Sequence, residues 1–245
     1  MEDALVKGGR QHGWRVGVVV PARNEAARIA ACLDSIERAA AMAAPKIDRL
    51  QVLVVADSCR DATAAIASRH DGVRVREVEF ATAGAARACG AADVVADLGG
   101  PLDRIWLANT DADSTVSPDW LDRQLVSAAS GAAAVAGIVT LAGAEPRLRE
   151  SFRRMYSKGI AETTHPHVHA TNFGLRAEVL EAVGGWSAMA TGEDHDLWER
   201  LRASGAPCIS DPNLVVSTSA RRTGRAPLGF STVVAGLAAA ISGVS

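Results

Sequence analysis

Asp111-Ala112-Asp113 ends the apolar run Arg104-Ile105-Trp106-Leu107-Ala108-Asn109-Thr110. Two carboxylates one residue apart, where a buried strand meets a loop, can hold a divalent cation. Hard cations prefer oxygen ligands and are often bound by one or two carboxylates plus substrate phosphates. The plain alternative is a solvated turn whose aspartates cap the helix near Pro118. Other apolar runs also end in polar residues: Arg23 and Glu25 follow Val16–Val20, and Asp57 follows Leu50–Val55. In open parallel sheets, ligands bind outside the carboxyl ends of the strands. Residues at those ends share one edge, which argues for a site more strongly than any single motif.

The elements that must position these groups alternate along the chain. Val16–Val20 is β-branched and stops at Pro21, as a buried strand does. Glu25–Ala44 carries Ile29, Leu33 and Ile36 at helical spacing, with Pro45 just beyond. Leu50–Val55 predicts a second strand, Ala62–Arg69 a helix, Val73–Val78 a third strand and Ala83–Asp97 an Ala-rich helix; Ile105–Ala108 then delivers Asp111. This β-α-β-α-β-α-β order predicts an α/β, mostly parallel, doubly wound sheet. A helix from Pro118 to Ala129 and a strand over Ala132–Leu141 follow. The rhythm then changes: Arg147–Gly159 reads as a charged helix, His165–Leu175 as extended, and Arg176–Val183 and Glu193–Ala203 as helices. Pro207–Ile209 and Val215–Thr218 read as two short strands. The expectation is one domain over residues 1–225, with a nucleotide-type half (1–140), a mixed half that completes the site (141–225), and an apolar tail (226–245).

The 245 residues carry a formal charge of −2, so no basic field points to nucleic acid. Four cysteines (Cys32, Cys59, Cys89, Cys208) lack C-x-x-C spacing, which argues against a zinc knuckle or a disulfide framework and fits a reducing cytoplasm. Met1–Gly13 is polar, without the apolar stretch of a signal peptide, and reads as a short leader. The charge-free tail Ala226–Ser245 is long enough to span a bilayer but rich in Gly, Ala and Ser. It reads as a docking helix, with peripheral membrane contact or a homodimer surface as alternatives.

Four stretches together resemble the GT-A glycosyltransferases of the family 2 type. Val18-Val19-Val20-Pro21-Ala22-Arg23-Asn24-Glu25 resembles the opening strand and its P-x-x-N-E turn. Val54-Val55-Ala56-Asp57-Ser58-Cys59-Arg60-Asp61-Ala62-Thr63 resembles the nucleotide-binding V-D-D-x-S-x-D-x-T segment. Asp111-Ala112-Asp113 resembles the metal-binding D-x-D, and Gly192-Glu193-Asp194-His195-Asp196-Leu197 the E-D motif that holds the catalytic base. The resemblance implies a metal-dependent, inverting transfer from a nucleotide-diphospho sugar, with a UDP-sugar as the expected donor and a lipid, metabolite or glycan hydroxyl as acceptor. Pro21, Ala22, Arg23 and Glu25 would border the nucleoside, Asp57 would read the base, and Arg87 would approach ribose or diphosphate. Asp113 would bind Mn²⁺ or Mg²⁺ directly, with Asp111 on ribose or a metal-bound water. Asp194, or else Glu193, would be the general base.

The chemistry suits these residue types. A departing nucleoside diphosphate needs charge neutralisation, which a cation supplies without a proton donor. A hydroxyl becomes a competent nucleophile when a carboxylate takes its proton during attack. One base suffices for inversion, unlike the carboxylate pair of glycosidases. The chain departs from the family pattern in three places. Ala56 stands where a first Asp is common. The Q-x-x-R-W signature of processive members is absent, which implies transfer of a single sugar. No His follows His195, so Ser217, Ser219 or water would complete a metal's ligands.

Other residues invite a role. His165, His167 and His169 alternate and share one face if extended; they read as a polar rim, with zinc as the alternative. By the same resemblance, His169 and Asn172 are candidates for sugar hydroxyls. Trp186 could stack on sugar or acceptor, or simply pack in the core. Arg221, Arg222 and Arg225 could form a lid on the diphosphate, with Gly224 permitting movement, or a solvated loop.

Rival readings exist. Thr110-Asp111-Ala112-Asp113-Ser114-Thr115 also fits the D-x-D-x-T of haloacid dehalogenase-type phosphatases, with Asp111 as nucleophile. That leaves Pro21–Glu25 and Asp57 without a task. A dinucleotide dehydrogenase would need G-x-G-x-x-G after the first strand, and a nucleotidyltransferase a G-x-G-T-R loop; neither is present. An inactive nucleotide-sugar-binding module would show binding without turnover.

Overall fold

The computed structural model describes residues 13–224 and 229–243. The leader read at Met1–Gly13 therefore lies, Gly13 apart, outside the described residues, as do Arg225 and the ends of the apolar tail.

Strand β1 (Trp14–Ala22) is buried along nearly its whole length. Val16, Val18 and Val20 face one core cluster and Val19 faces another, as the period of two along a strand requires. Each such valine stabilises the fold by roughly 1.5–3 kcal/mol on burial, and burial on both faces marks a central parallel strand. Helix α1 (Ile29–Ala43), β2 (Ile47–Asp57), α2 (Thr63–Ala67), β3 (Val73–Val78), α3 (Ala83–Leu98) and β4 (Ile105–Asn109) follow. β1 pairs in parallel with both β2 and β4, and β2 with β3. The doubly wound half is therefore as expected.

Then come β5 (Ser114–Val116), α4 (Trp120–Ala129), β6 (Ala134–Ala142), α5 (Pro146–Tyr156), β7 (Phe173–Arg176), α6 (Ala177–Ala182), α7 (Glu193–Ala203), β8 (Cys208–Ser219) and α8 (Phe230–Ser242). All eight strands join one sheet in the order β3-β2-β1-β4-β7-β6-β8-β5. β7 is antiparallel to both β4 and β6, so the sheet is parallel on one side and mixed on the other. Val139 of β6 and Thr218 and Ser219 of β8 line the same cavity as Pro21, Asp57 and Asp111, so the mixed half supplies the second wall of the site.

Four local features differ from the expectation. The first helix begins at Ile29, not Glu25, because Asn24 sits at φ 51° and the Glu25 carbonyl accepts from both Arg28 and Ile29 in a turn. The two short strands after Pro207 are one strand, β8, whose register against β6 slips between Gly137 and Ile138. β5 was not foreseen: three residues carry no period, and only pairing with β8 defines them. The extended run from His165 is loop and 3-10 turn (Ala170–Asn172) until β7 begins.

α8 packs on α5 and β6 through Phe152, Val234, Ala238 and Leu141. Among the described residues, no helix is long and apolar enough to cross a membrane. The four cysteines are free.

Candidate active site

The turn after β1 and the loop after β2 clasp each other. Glu25 N–H donates to Thr63 Oγ1 at 2.7 Å, Ala26 N–H to Asp61 Oδ2 at 3.1 Å, and Arg60 N–H to Asn24 Oδ1 at 2.7 Å. Asp61 and Thr63, motif residues without an assigned task, thus hold the two loops in register. The three described non-glycine residues with positive φ, Asn24 (51°), Ser58 (54°) and Ala81 (59°), flank these loops. Such conformations cost of order 1–3 kcal/mol and persist where the surroundings over-determine them. Ala81 serves a visible purpose: its N–H donates to Asp57 Oδ1 at 2.8 Å, and the Ser58 hydroxyl reaches the same oxygen at 2.9 Å. Asp57 is thereby fixed, with Oδ2 left for a ligand.

The D-x-D turn is anchored by a chain of hydroxyls. Asp111 N–H donates to Thr171 Oγ1 (3.2 Å), Thr171 to Ser114 Oγ (3.0 Å), and Ser114 to Thr218 Oγ1 (2.9 Å). These residues come from three segments, and none stood out in the sequence.

Two guanidiniums organise the carboxylates. Arg87, from α3, is buried and lies 2.5 Å from Asp111 Oδ1 and 2.5 Å from Glu193 Oε1. It stacks 5.5 Å from the Trp186 ring centroid. Burial pulls the Arg87 pKa down, but Asp111, Glu193 and Asp194 outweigh it and hold the pKa above the ordinary value. Gly84 lets α3 come this close: a Cβ there would lie 2.1 Å from Ser187 O. Arg221, beyond β8, reaches Asp113 Oδ2 at 3.0 Å and also pairs with buried Glu25.

Asp113 is mostly enclosed. Burial, then repulsion from Asp111, push its pKa up to about 6, against the pull of Arg221. Burial likewise raises Glu193, with Arg87 opposing. Asp194 is the second residue of α7, which opens after Gly192, whose φ of 85° suits a residue without a side chain. Its Oδ2 accepts from Ala170 N–H at 3.0 Å and its Oδ1 from His195 N–H at 2.9 Å. Helix N-termini favour negative charge, so Glu193, Asp194 and Asp196 in the first turn are well placed.

Pro21, Ala22, Arg23, Glu25, Asp57, Arg87, Asp111, Asp113, His169, Glu193, Asp194 and Arg221 line one open cavity of about 440 Å³. Several side chains stand elsewhere than the site suggested for them. Asn172 is fully buried: its amide donates to Ile138 O and Leu214 O, both at 2.8 Å, and its Oδ1 accepts from Trp120 at 3.0 Å. It braces β6, β8 and α4 and offers nothing to a sugar. Trp186 is buried under Arg87 and edge-on to Phe173, so it packs in the core. Arg222 is exposed and absent from the cavity wall, and Arg225 lies outside the described residues. Ser217 does not line the cavity, whereas Ser219 does. The three histidines do stack on one side, 6.0 and 6.2 Å apart, but each binds a different oxygen: Ala136 O, Tyr156 O and Tyr156 Oη. No group of three His, Cys, Asp or Glu among the described residues is placed to hold a metal alone.

This donor set still suits a hard cation delivered with its substrate. Asp111, Asp113 and Glu25 present carboxylates to one region, and two guanidiniums now balance their charge. A Mg²⁺- or Mn²⁺-type ion commonly takes one or two carboxylates and completes its shell with phosphates and water.

A parallel half-sheet, a D-x-D at its switch to mixed pairing, and a facing acidic helix terminus define the GT-A fold. Residues 17–184 match the family model described as glycosyl transferase family 2, and the chain belongs to that family. The acidic α7 terminus lies just past the matched region.

S. aureus TarS 1–349, solved with UDP-GlcNAc, is similar at 11% identity and TM-score 0.62, over 88% of this chain and 61% of that one. The mannosyltransferase PcManGT of Pyrobaculum calidifontis, solved with GDP-Man and Mn²⁺, is similar at 20% identity and TM-score 0.62, over 92% and 69%. Glucosyl-3-phosphoglycerate synthase of Mycobacterium tuberculosis, solved with Mn²⁺, UDP and phosphoglyceric acid, is similar at 18% identity and TM-score 0.52, over 92% and 78%. At these identities the likeness establishes the fold. The chain spans less than two thirds of the TarS structures it matches. No curated protein matches it in sequence. Family membership displaces the phosphatase reading of Asp111.

Proposed function

We propose that this protein transfers one sugar from a nucleotide-diphospho sugar to a hydroxyl acceptor, with inversion and with help from a divalent cation. A UDP-sugar is the first donor to test. The observation that carries the reading is the convergence of Asp57, Asp111, Asp113 and Asp194, from three separate segments, on one cavity.

Asp57 Oδ2 accepts one N–H from the base; its partner oxygen already takes two internal bonds. That single acceptor suits the lone ring N–H of uracil. Asp113, with Asp111 and Glu25 nearby, would hold the cation, which neutralises charge on the leaving diphosphate. Arg221 sits where it can turn from Asp113 to a phosphate oxygen, and a guanidinium fork matches phosphate geometry.

Asp194 takes the proton from the acceptor hydroxyl as its oxygen forms a bond to the anomeric carbon. The bond from that carbon to the phosphate oxygen breaks on the opposite face, and its electron pair leaves with the nucleoside diphosphate. Glu193 is the weaker candidate for base because Arg87 holds it at 2.5 Å. Its role is to tie α7 to α3.

Calorimetric titration with UDP, GDP and CDP, each with and without Mn²⁺, tests the reading. One nucleotide binding only with metal is the expected result. No nucleotide binding at all removes it. Binding without sugar transfer or donor hydrolysis would make the protein a nucleotide-sugar-binding module.

A further inference from the structure

The cavity wall on the β6 side is built from residues the reading above leaves without a task. Val139, Val168, Phe230 and Val233 line it together with His169. His169 is edge-on to Phe230, with ring centroids 5.6 Å apart, and its Nε2 lies 2.9 Å from the Tyr156 hydroxyl. Tyr156 is the only tyrosine in the chain, and it is buried.

The hydrogen bonds determine which imidazole nitrogen carries the proton. Val139 N–H donates to Tyr156 Oη at 3.2 Å, so the hydroxyl proton must go elsewhere. Among the described residues, His169 Nε2 is its acceptor. Leaving a buried donor unpaired costs about 1–3 kcal/mol, so Tyr156 donates and Nε2 accepts. The neutral ring then carries its hydrogen on Nδ1. Burial holds the His169 pKa at about 4, far below the usual imidazole value, so the ring is uncharged at neutral pH. The next residue, Ala170, donates to Asp194. A fixed, neutral N–H donor and the expected base therefore share one wall.

Charge narrows the ligand. Among the described lining residues, the permanent cations are Arg23, Arg87 and Arg221. Arg87 and Arg221 are each committed to two carboxylates, and Arg23 sits in the turn after β1. Among the described residues, a phosphate or carboxylate beside Val139, Val168 and Phe230 would meet no cation free of a carboxylate partner, and it would face Asp194 and Glu193.

We propose that this wall is the acceptor subsite, that it takes an uncharged hydroxyl carried on an apolar frame, and that His169 Nδ1–H orients that hydroxyl beside Asp194. Tyr156 is a positioning residue acting through His169. The proposal rests on the glycosyltransferase reading.

The test is ¹⁵N-histidine NMR of the full chain, with UDP and Mn²⁺ present, plus two probes: 2-phenylethanol and 3-phosphoglycerate. His169 should show the Nδ1–H tautomer, and Tyr156→Phe should move it toward Nε2–H while leaving UDP affinity unchanged. 2-Phenylethanol should shift the His169 signal and 3-phosphoglycerate should not. In turnover, Tyr156→Phe should raise the acceptor KM about five- to tenfold, as loss of one neutral hydrogen bond predicts. An Nε2–H tautomer in the unmodified protein overturns the assignment of Tyr156. A His169 shift with phosphoglycerate and none with the alcohol overturns the acceptor class. Failure of UDP, GDP and CDP alike to bind the same sample overturns the glycosyltransferase reading instead, and leaves the tautomer result to judge the Tyr156 link by itself.

Discussion

Arg221 Nη2 lies 3.0 Å from Asp113 Oδ2, so a guanidinium stands where a cation and a diphosphate are expected to meet. The same side chain also pairs with Glu25. Arg221 must let go of Asp113 for a metal to bind there. Arg221→Gln should therefore raise affinity for Mn²⁺ alone severalfold and lower affinity for UDP with Mn²⁺ about tenfold, given roughly 1.5–3 kcal/mol for a charged hydrogen bond. Paired calorimetry reads both. Parallel weakening of both affinities would rule out competition.

The raised pKa of Asp113, about 6, has a consequence for pH. A cation needs the ionised carboxylate, so binding displaces a proton below that value. Mn²⁺-dependent nucleotide affinity should be flat above pH 7 and fall about tenfold per unit below pH 6. For the fold the sign is opposite. The native state holds its proton more tightly than the unfolded chain does, so charging Asp113 between its ordinary pKa and about 6 removes stability as pH rises. A flat affinity profile between pH 5 and 7 would show that Asp113 does not ligate the ion.

Arg87 joins α3 to the D-x-D turn and to α7 from a buried position. Arg87→Met leaves Asp111 and Glu193 without their counter-charge, and breaking a buried pair from one side costs about 3–5 kcal/mol. Lys should not rescue it, since one ammonium cannot bridge two carboxylates as a fork does. Urea unfolding checks this; a loss under 1 kcal/mol would make the link incidental.

Asp194 accepts one backbone N–H on each carboxylate oxygen, so an Asn there keeps one of the two bonds through its amide oxygen. Asp194→Asn should leave nucleotide binding intact and cut turnover about two to four orders of magnitude, the usual range for a positioned base. Full activity in this variant would move the role to another group.

Asn172 is the converse case. Asn172→Ala strands Trp120 Nε1, Ile138 O and Leu214 O in the core. The loss should be roughly 2–5 kcal/mol in stability, with the donor KM of the surviving fold unchanged. A selective rise in donor KM without destabilisation would return Asn172 to the sugar site.

What the sequence by itself determined are properties that live within a few residues. Apolar runs closed by polar residues define β1, β2 and β4, helical spacing defines α1, and Gly205 marks the end of α7. The parallel half of the fold, and the edge that carries Asp57, Asp111 and Asp113, follow from that order. The tertiary structure alone decided which of these groups are neighbours. Arg87 meets Glu193 because Gly84 admits close packing of α3. Tyr156 meets His169 because α5 folds over β6. Asn172 turns inward because three strangers in sequence need its amide. A side chain's partner depends on distances between segments far apart in the chain. No local pattern encodes those distances, and burial then sets which groups are charged, fixed or free to act.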